Sequence, residues 1–238
     1  MRVHDVHAKA IRAVSLLAMT LAVFAGDACA HGVADSDKAF IQANPGINII
    51  PFAYLGAKHM VTGYDHLLFL FGVIFFLYRL KDVWIYVTLF AVGHSVTLLS
   101  GVMFNIGANP YLIDAIIGLS VVYKALDNLG AFPTLCGVQP NQKAAVLIFG
   151  LFHGLGLATK LQDLIASSEG LLVNLVSFNL GVEAGQVFAL SFILILMTWW
   201  RRSPRFARGV LPVNALLMCA GLVLIGYQLT GFFLERPA

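Results

Sequence analysis

The chain has 238 residues, 59% hydrophobic and 11% charged, with a formal net charge of +3. Soluble domains average roughly 45–50% apolar and about 25% charged residues, so an ordinary soluble domain is excluded, as are disordered and collagenous chains; three cysteines are too few for a disulfide scaffold. The 15 Lys and Arg residues lie scattered between apolar runs and build no face able to track phosphates, which excludes nucleic acid as a partner and leaves an all-α integral membrane protein in contact with lipids.

In chain order, the first thirty residues read as a cleaved signal peptide. Arg2, Lys9 and Arg12 form a basic start, Ala13 to Gly26 an apolar core, and Ala28-Cys29-Ala30 a small-x-small cleavage site. Cleavage after Ala30 leaves a free α-amine beside the His31 imidazole, a pair that can chelate a metal once the amine loses its proton. A terminus that serves only the peptidase is the alternative reading. Residues 31–58 form a periplasmic N-terminal segment, polar at first and apolar after Pro45-Gly46, whose second half is expected at the outer interface. Cys136 and Cys219 remain as unpaired packing thiols.

Residues 59–238 form the transmembrane domain. About 20 apolar residues make a helical span, and six segments qualify: Met60 to Leu80, Val83 to Phe104, Pro110 to Leu126, Lys143 to Leu161, Leu171 to Trp200 and Gly209 to Leu234. With the mature N-terminus outside, inner loops hold Arg79, Lys81, Lys124, Lys143, Arg201, Arg202, Arg205 and Arg208, against Lys38, Lys58, Lys160 and Arg236 outside. This bias obeys the positive-inside rule and predicts a polytopic bundle in the bacterial inner membrane with both mature termini periplasmic. No nucleotide motif is present, so ATP-driven pumping by this chain alone is excluded.

The chemistry lies in what interrupts the apolar helices, because an ionisable group in hydrocarbon costs roughly 2.5–3.5 kcal/mol on insertion scales. The first span carries His59 and Asp65-His66, the second His94-Ser95, the third Asp114, the fourth His153 among Gly150, Gly154 and Gly156. The fifth carries Asn179, Glu183 and Gln186 along one face, a stripe that must meet protein or water. On one continuous helix His59 and His66 stand about 10 Å apart along the axis; a bent lead-in instead folds His59 back toward His66. With each residue rising about 1.5 Å, all these groups fall between the outer leaflet and the centre, consistent with one polar cavity opening outward. Phe69, Phe71, Phe75 and Phe76 are read as packing or lipid-facing residues.

Imidazoles with carboxylates suit nickel, cobalt, zinc or copper, whereas calcium or magnesium calls for oxygen ligands. The metal candidates are His59, Asp65, His66, His94, Asp114, His153 and Glu183, with Ser95, Asn179 and Gln186 orienting ligands or lining the pathway. The competing reading of each His, and of the amides, is interhelical hydrogen-bonding.

The runs TGYDHLLFLFGVIFFL, AVGHSVTLL, IDAIIGLSVVYKALDNL, FGLFHGLGLA and FNLGVEAGQ, in this order after a signal peptide ending before His-Gly, resemble the HupE/UreJ family of hydrogenase and urease accessory membrane proteins. The resemblance covers nearly the whole mature chain. It implies a secondary permease for a transition metal, usually nickel, and a functional role for His59, Asp65, His66, His94, His153 and Glu183. The chain departs from the pattern at Leu157, where one branch has a second His, and at Asp114, where many relatives have Glu.

The sequence thus predicts a non-enzymatic permease that takes up a divalent metal, nickel before cobalt, zinc or copper, with a periplasmic metal donor or metalloenzyme maturation machinery as partner. Two alternatives remain open. One is a metal-dependent intramembrane hydrolase, against which stands the lack of a His-Glu-x-x-His pair. The other is a metal-binding assembly factor without transport.

Overall fold

The computed structural model describes residues 46–162 and 170–234; the expected signal peptide, its cleavage site and His31 lie outside them. All regular structure among the described residues is helical: α1 (Ile49–Thr62), α2 (Tyr64–Ile74), α3 (Leu80–Met103), α4 (Pro110–Asn128), α5 (Ala131–Cys136), α6 (Gln142–Gln162), α7 (Leu171–Arg201) and α8 (Phe206–Leu234).

Four helices, α3, α6, α7 and α8, are long and apolar enough to cross a membrane. Two segments of the six expected from sequence differ. The third, α4, carries three charged side chains, Asp114, Lys124 and Asp127, and all three are buried, so the charge is absorbed inside the bundle. The first is divided at Gly63, whose backbone is extended (φ −71°, ψ 103°). A Cβ there would lie 2.7 Å from His66 Nδ1, so the break is held by a residue whose missing side chain lets an imidazole approach. The stretch after Pro45-Gly46, expected at the interface, is therefore helix α1, packed along α7.

Three helix pairs carry the packing: α1 with α7, α3 with α6, and α4 with α8. Each seam is lined by glycines at which backbones touch. Cβ atoms at Gly56 and Gly181 would overlap the Phe178 and Ala53 carbonyls across the α1–α7 seam, and one at Gly93 would sit 2.6 Å from the Leu147 carbonyl across α3–α6. Gly118 and Gly221 face one another's carbonyls across α4–α8. Helices in lipid gain little from the hydrophobic effect, so this close van der Waals approach is what holds them.

The short helix α2 lies against α4, α7, α1 and α8 and is tied at its C-terminal end. The Arg201 guanidinium of α7 donates to the Leu77 and Phe75 carbonyls at 2.9 Å each and to that of Ile74, and lies 4.6 Å over the Tyr78 ring. Carbonyls left over at a helix end are thereby satisfied by a cation, the sign the helix dipole favours there. Asn128 of α4 donates to the Gly72 carbonyl at 2.9 Å and to Asn214 of α8 at 3.0 Å.

The two ends of the bundle are each stitched by polar contacts. At one end Asn174 accepts from the Asn48 N–H and donates to the Gly46 carbonyl, and Gln162 donates to the Gly101 and Ile106 carbonyls. At the other end the Tyr86 hydroxyl donates to Gln142, and Asp127 accepts from Lys124, Gln139 and Gln142. The outward surface of α7 is mostly apolar, with Leu172, Leu180, Phe188, Phe192 and Trp199 exposed along it, as a lipid-facing wall requires, and Glu183 interrupts it. Helix α8 is the most peripheral span, 17% buried over its most apolar stretch against 39–44% for the other three.

Candidate metal-binding site

The break at Gly63 decides the site. It places His66 in the first turn of α2 inside the bundle, and imidazoles from three other helices gather around it. Ring centroids lie 5.1 Å away for His59 of α1, 4.9 Å for His153 of α6 and 6.4 Å for His94 of α3. His66, His94 and His153 are buried and His59 is half-buried.

Two hydrogen bonds set ring tautomers. His66 Nδ1 lies 3.2 Å from the Asp65 carboxylate and His153 Nδ1 2.8 Å from the Phe149 carbonyl. A carboxylate and a carbonyl can only accept, so each Nδ1 carries the proton and each Nε2 keeps the lone pair that would bind a metal. Asp65 thus acts first as the orienter of His66, and its negative charge in the first turn of α2 meets the positive end of the helix dipole.

Imidazole nitrogens bind first-row metals at roughly 2.0–2.1 Å, which sets the rings of two ligands on one ion about 5 Å apart. The His59–His66 and His66–His153 separations match that spacing, and His94 stands farther out. Among the described residues no three His, Cys, Asp or Glu side chains already surround a common point, so an ion would have to draw the rings in.

The remaining candidates fall at the edges. Asp114 is buried and bonded to the Lys160 ammonium at 2.7 Å, so an internal cation meets this carboxylate. Glu183 is not brought to the imidazoles. It is exposed, on the wall of a groove of about 360 Å³ between α3 and α7 that Ser95 and Gln186 also line. The reason is rotational: at 3.6 residues per turn Glu183 is turned about 40° from Asn179 and about 60° from Gln186, enough to carry it from the packed face to the rim. Gln186 and Asn179 are buried. Asn179 accepts from the Ser95 hydroxyl at 3.4 Å, while neither end of the Gln186 amide has a hydrogen-bond partner among the described residues. A buried primary amide left so is costly, and it borders both the groove and the helix carrying His94.

Aromatic rings form the walls. Phe90 stacks on His94 and meets His153 edge-on at 4.9 Å; Phe69 lies 5.8 Å from His153, and Phe178 6.1 Å from His59. Phe69 was expected to pack or to face lipid, and Phe90, Phe149, Phe178 and Lys160 were given no role in the site. A signal existed for three of them. Phe69 follows His66 by three residues, and Phe90 and Phe149 precede His94 and His153 by four, the spacing of neighbours on one helix face.

The family model for HupE/UreJ protein matches residues 35–236. The chain belongs to the HupE/UreJ family. This HupE/UreJ protein is therefore a membrane accessory protein of the hydrogenase and urease type, concerned with metal handling and not an enzyme. No curated protein and no solved structure matches it.

Proposed function

We propose that this HupE/UreJ protein is a secondary permease that takes a divalent transition metal, nickel before cobalt, zinc or copper, from the periplasm across the bacterial inner membrane for hydrogenase or urease maturation. The observation that carries the reading is the convergence of His59, His94 and His153, from three helices, on His66 at the start of a half-helix. Neutral imidazoles suit these metals, and a broken helix at the membrane midplane is the arrangement in which secondary transporters hold their cargo.

Six spans follow if α1 and α2 are two halves of one. Together they cover residues 49–74, long enough to cross at 1.5 Å per residue. His59 is then about 15 Å from the start of α1, and His94 and His153 each about 13–14 Å from the C-terminal ends of α3 and α6. All three depths agree with one site near the midplane. With the start of α1 outside, the end holding Asp114 and Lys160 is periplasmic and the end holding Arg201 cytoplasmic, in keeping with the Lys and Arg bias. The signal peptide 1–30 and a His31 chelate that delivers metal belong to the same reading.

Asp65, His66, His59 and His153 form the first site, His94 an adjoining one, and Glu183 attracts cations in the groove that Gln186 and Ser95 connect to it. The test is metal entry into proteoliposomes, with nickel, cobalt, zinc and copper offered in competition. Saturable nickel entry that disappears in His66→Ala is expected. Metal that binds without entering would replace the permease by an assembly factor, and metal that neither binds nor enters would overturn the site.

A further inference from the structure

Lys160 bonds a carboxylate on the periplasmic side of the imidazoles. Its Nζ meets Asp114 Oδ2 at 2.7 Å, joining the end of α6 to the start of α4; the Asp114 side chain is 6% exposed and that of Lys160 20%. One carboxylate is thus sealed in the bundle while the ammonium that neutralises it retains a way out to water. On α6 the same face carries Lys160, Gly156 and His153, seven residues from first to last, or about 10 Å along the axis. A Cβ at Gly156 would lie 3.7 Å from Asp114 Oδ1, so Asp114 stands beside the line leading to His153.

We propose that Lys160 is a tethered counter-cation: it occupies Asp114 when no cargo is present, and an arriving divalent metal displaces it into water on the way to the imidazoles. Charge supports the exchange. With neutral imidazoles, Asp65, Asp114 and Lys160 sum to −1 in the empty protein. A divalent ion with the ammonium still in place makes the site +1, whereas with the ammonium displaced the two carboxylates balance the ion, and in a low-dielectric interior the balanced arrangement is favoured. Lys suits this role because its ammonium is a compact point charge on a flexible stem. The device makes each arriving metal compete with a built-in cation, which weakens retention at the entrance and favours passage over storage.

This inference rests on the proposed metal site, and the test separates the two. In the full-length protein in nanodiscs, nickel affinity is measured by titration calorimetry for wild type, Lys160→Gln, Asp114→Asn and the double variant. Lys160→Gln should bind nickel about tenfold more tightly, the change that about 1.4 kcal/mol of lost competition gives, and the gain should vanish in the Asp114→Asn background. Equal or weaker binding by a folded Lys160→Gln protein would overturn the proposal and leave the ion pair a packing device. Should wild type and all variants fail to bind nickel, the metal site itself fails and this inference with it. A second measurement needs no substitution: acylation of wild type by an amine-reactive ester, read by mass spectrometry, should rise severalfold at Lys160 when nickel is added, relative to the exposed Lys81 and Lys143. Unchanged or reduced labelling at Lys160 would refute displacement.

Discussion

Gly150→Ala perturbs the seam that positions two of the imidazoles. Gly150 lies on α6 one turn before His153, and a Cβ there would sit 2.5 Å from the Phe90 carbonyl and 3.1 Å from its Cα. Ordinary contact begins at 3.4 Å, so the helices must part by about 0.9 Å or the backbone must tilt. The obstacle is main chain, which cannot rotate away as a side-chain tip would. Overpacking of this kind costs typically 1–3 kcal/mol, and with backbone on one side the upper half, about 2–3 kcal/mol, is expected. For a chain of this length that lowers Tm by about 5–10 °C. Because Phe90 stacks on His94 and touches His153, nickel affinity should fall as well. Gly226→Ala is the control, since nothing lies within 4 Å of the added atom and Ala is the better helix former. Thermal unfolding in detergent, followed by the loss of the monodisperse peak on size exclusion, compares the two. If Gly150→Ala melts together with Gly226→Ala, close backbone contact is not what holds α3 to α6.

Asp65→Asn keeps an oxygen that can accept from His66 Nδ1 but removes the charge; nickel affinity measured by calorimetry should drop by about 10–100-fold, the range for losing an orienting carboxylate, with little change in Tm. Arg201→Met takes the guanidinium donor from the Phe75 and Leu77 carbonyls and leaves that of Ile74 with the Leu77 N–H, and should destabilise by about 2–3 kcal/mol; an unchanged melting curve would mean α2 is held by packing alone. Glu183→Gln should slow nickel entry into proteoliposomes severalfold while leaving equilibrium affinity near wild type, because the carboxylate lines the groove and does not join the imidazoles. Loss of affinity in that variant would place Glu183 in the site itself.

The helical membrane class, the apolar course of α3, α6, α7 and α8, and the choice of His66, His94 and His153 as buried polar groups were all legible in the residues. The signals are local: hydropathy over a helix length, and the cost of any imidazole in hydrocarbon. Only the tertiary structure decided how those groups meet. The backbone setting at Gly63 divided the expected Met60 to Leu80 span, left its first residues in an α1 that begins at Ile49, and brought His59 to 5.1 Å from His66; periodicity treats both arrangements alike until the chain is packed. The partner of Asp114 lies 46 residues away on another helix, beyond any spacing rule. Glu183 separated from Asn179 and Gln186 because a packed face ends sharply at a rotation of a few tens of degrees, and its edge is set by the neighbouring helices α1 and α3, which residues counted along α7 alone do not contain.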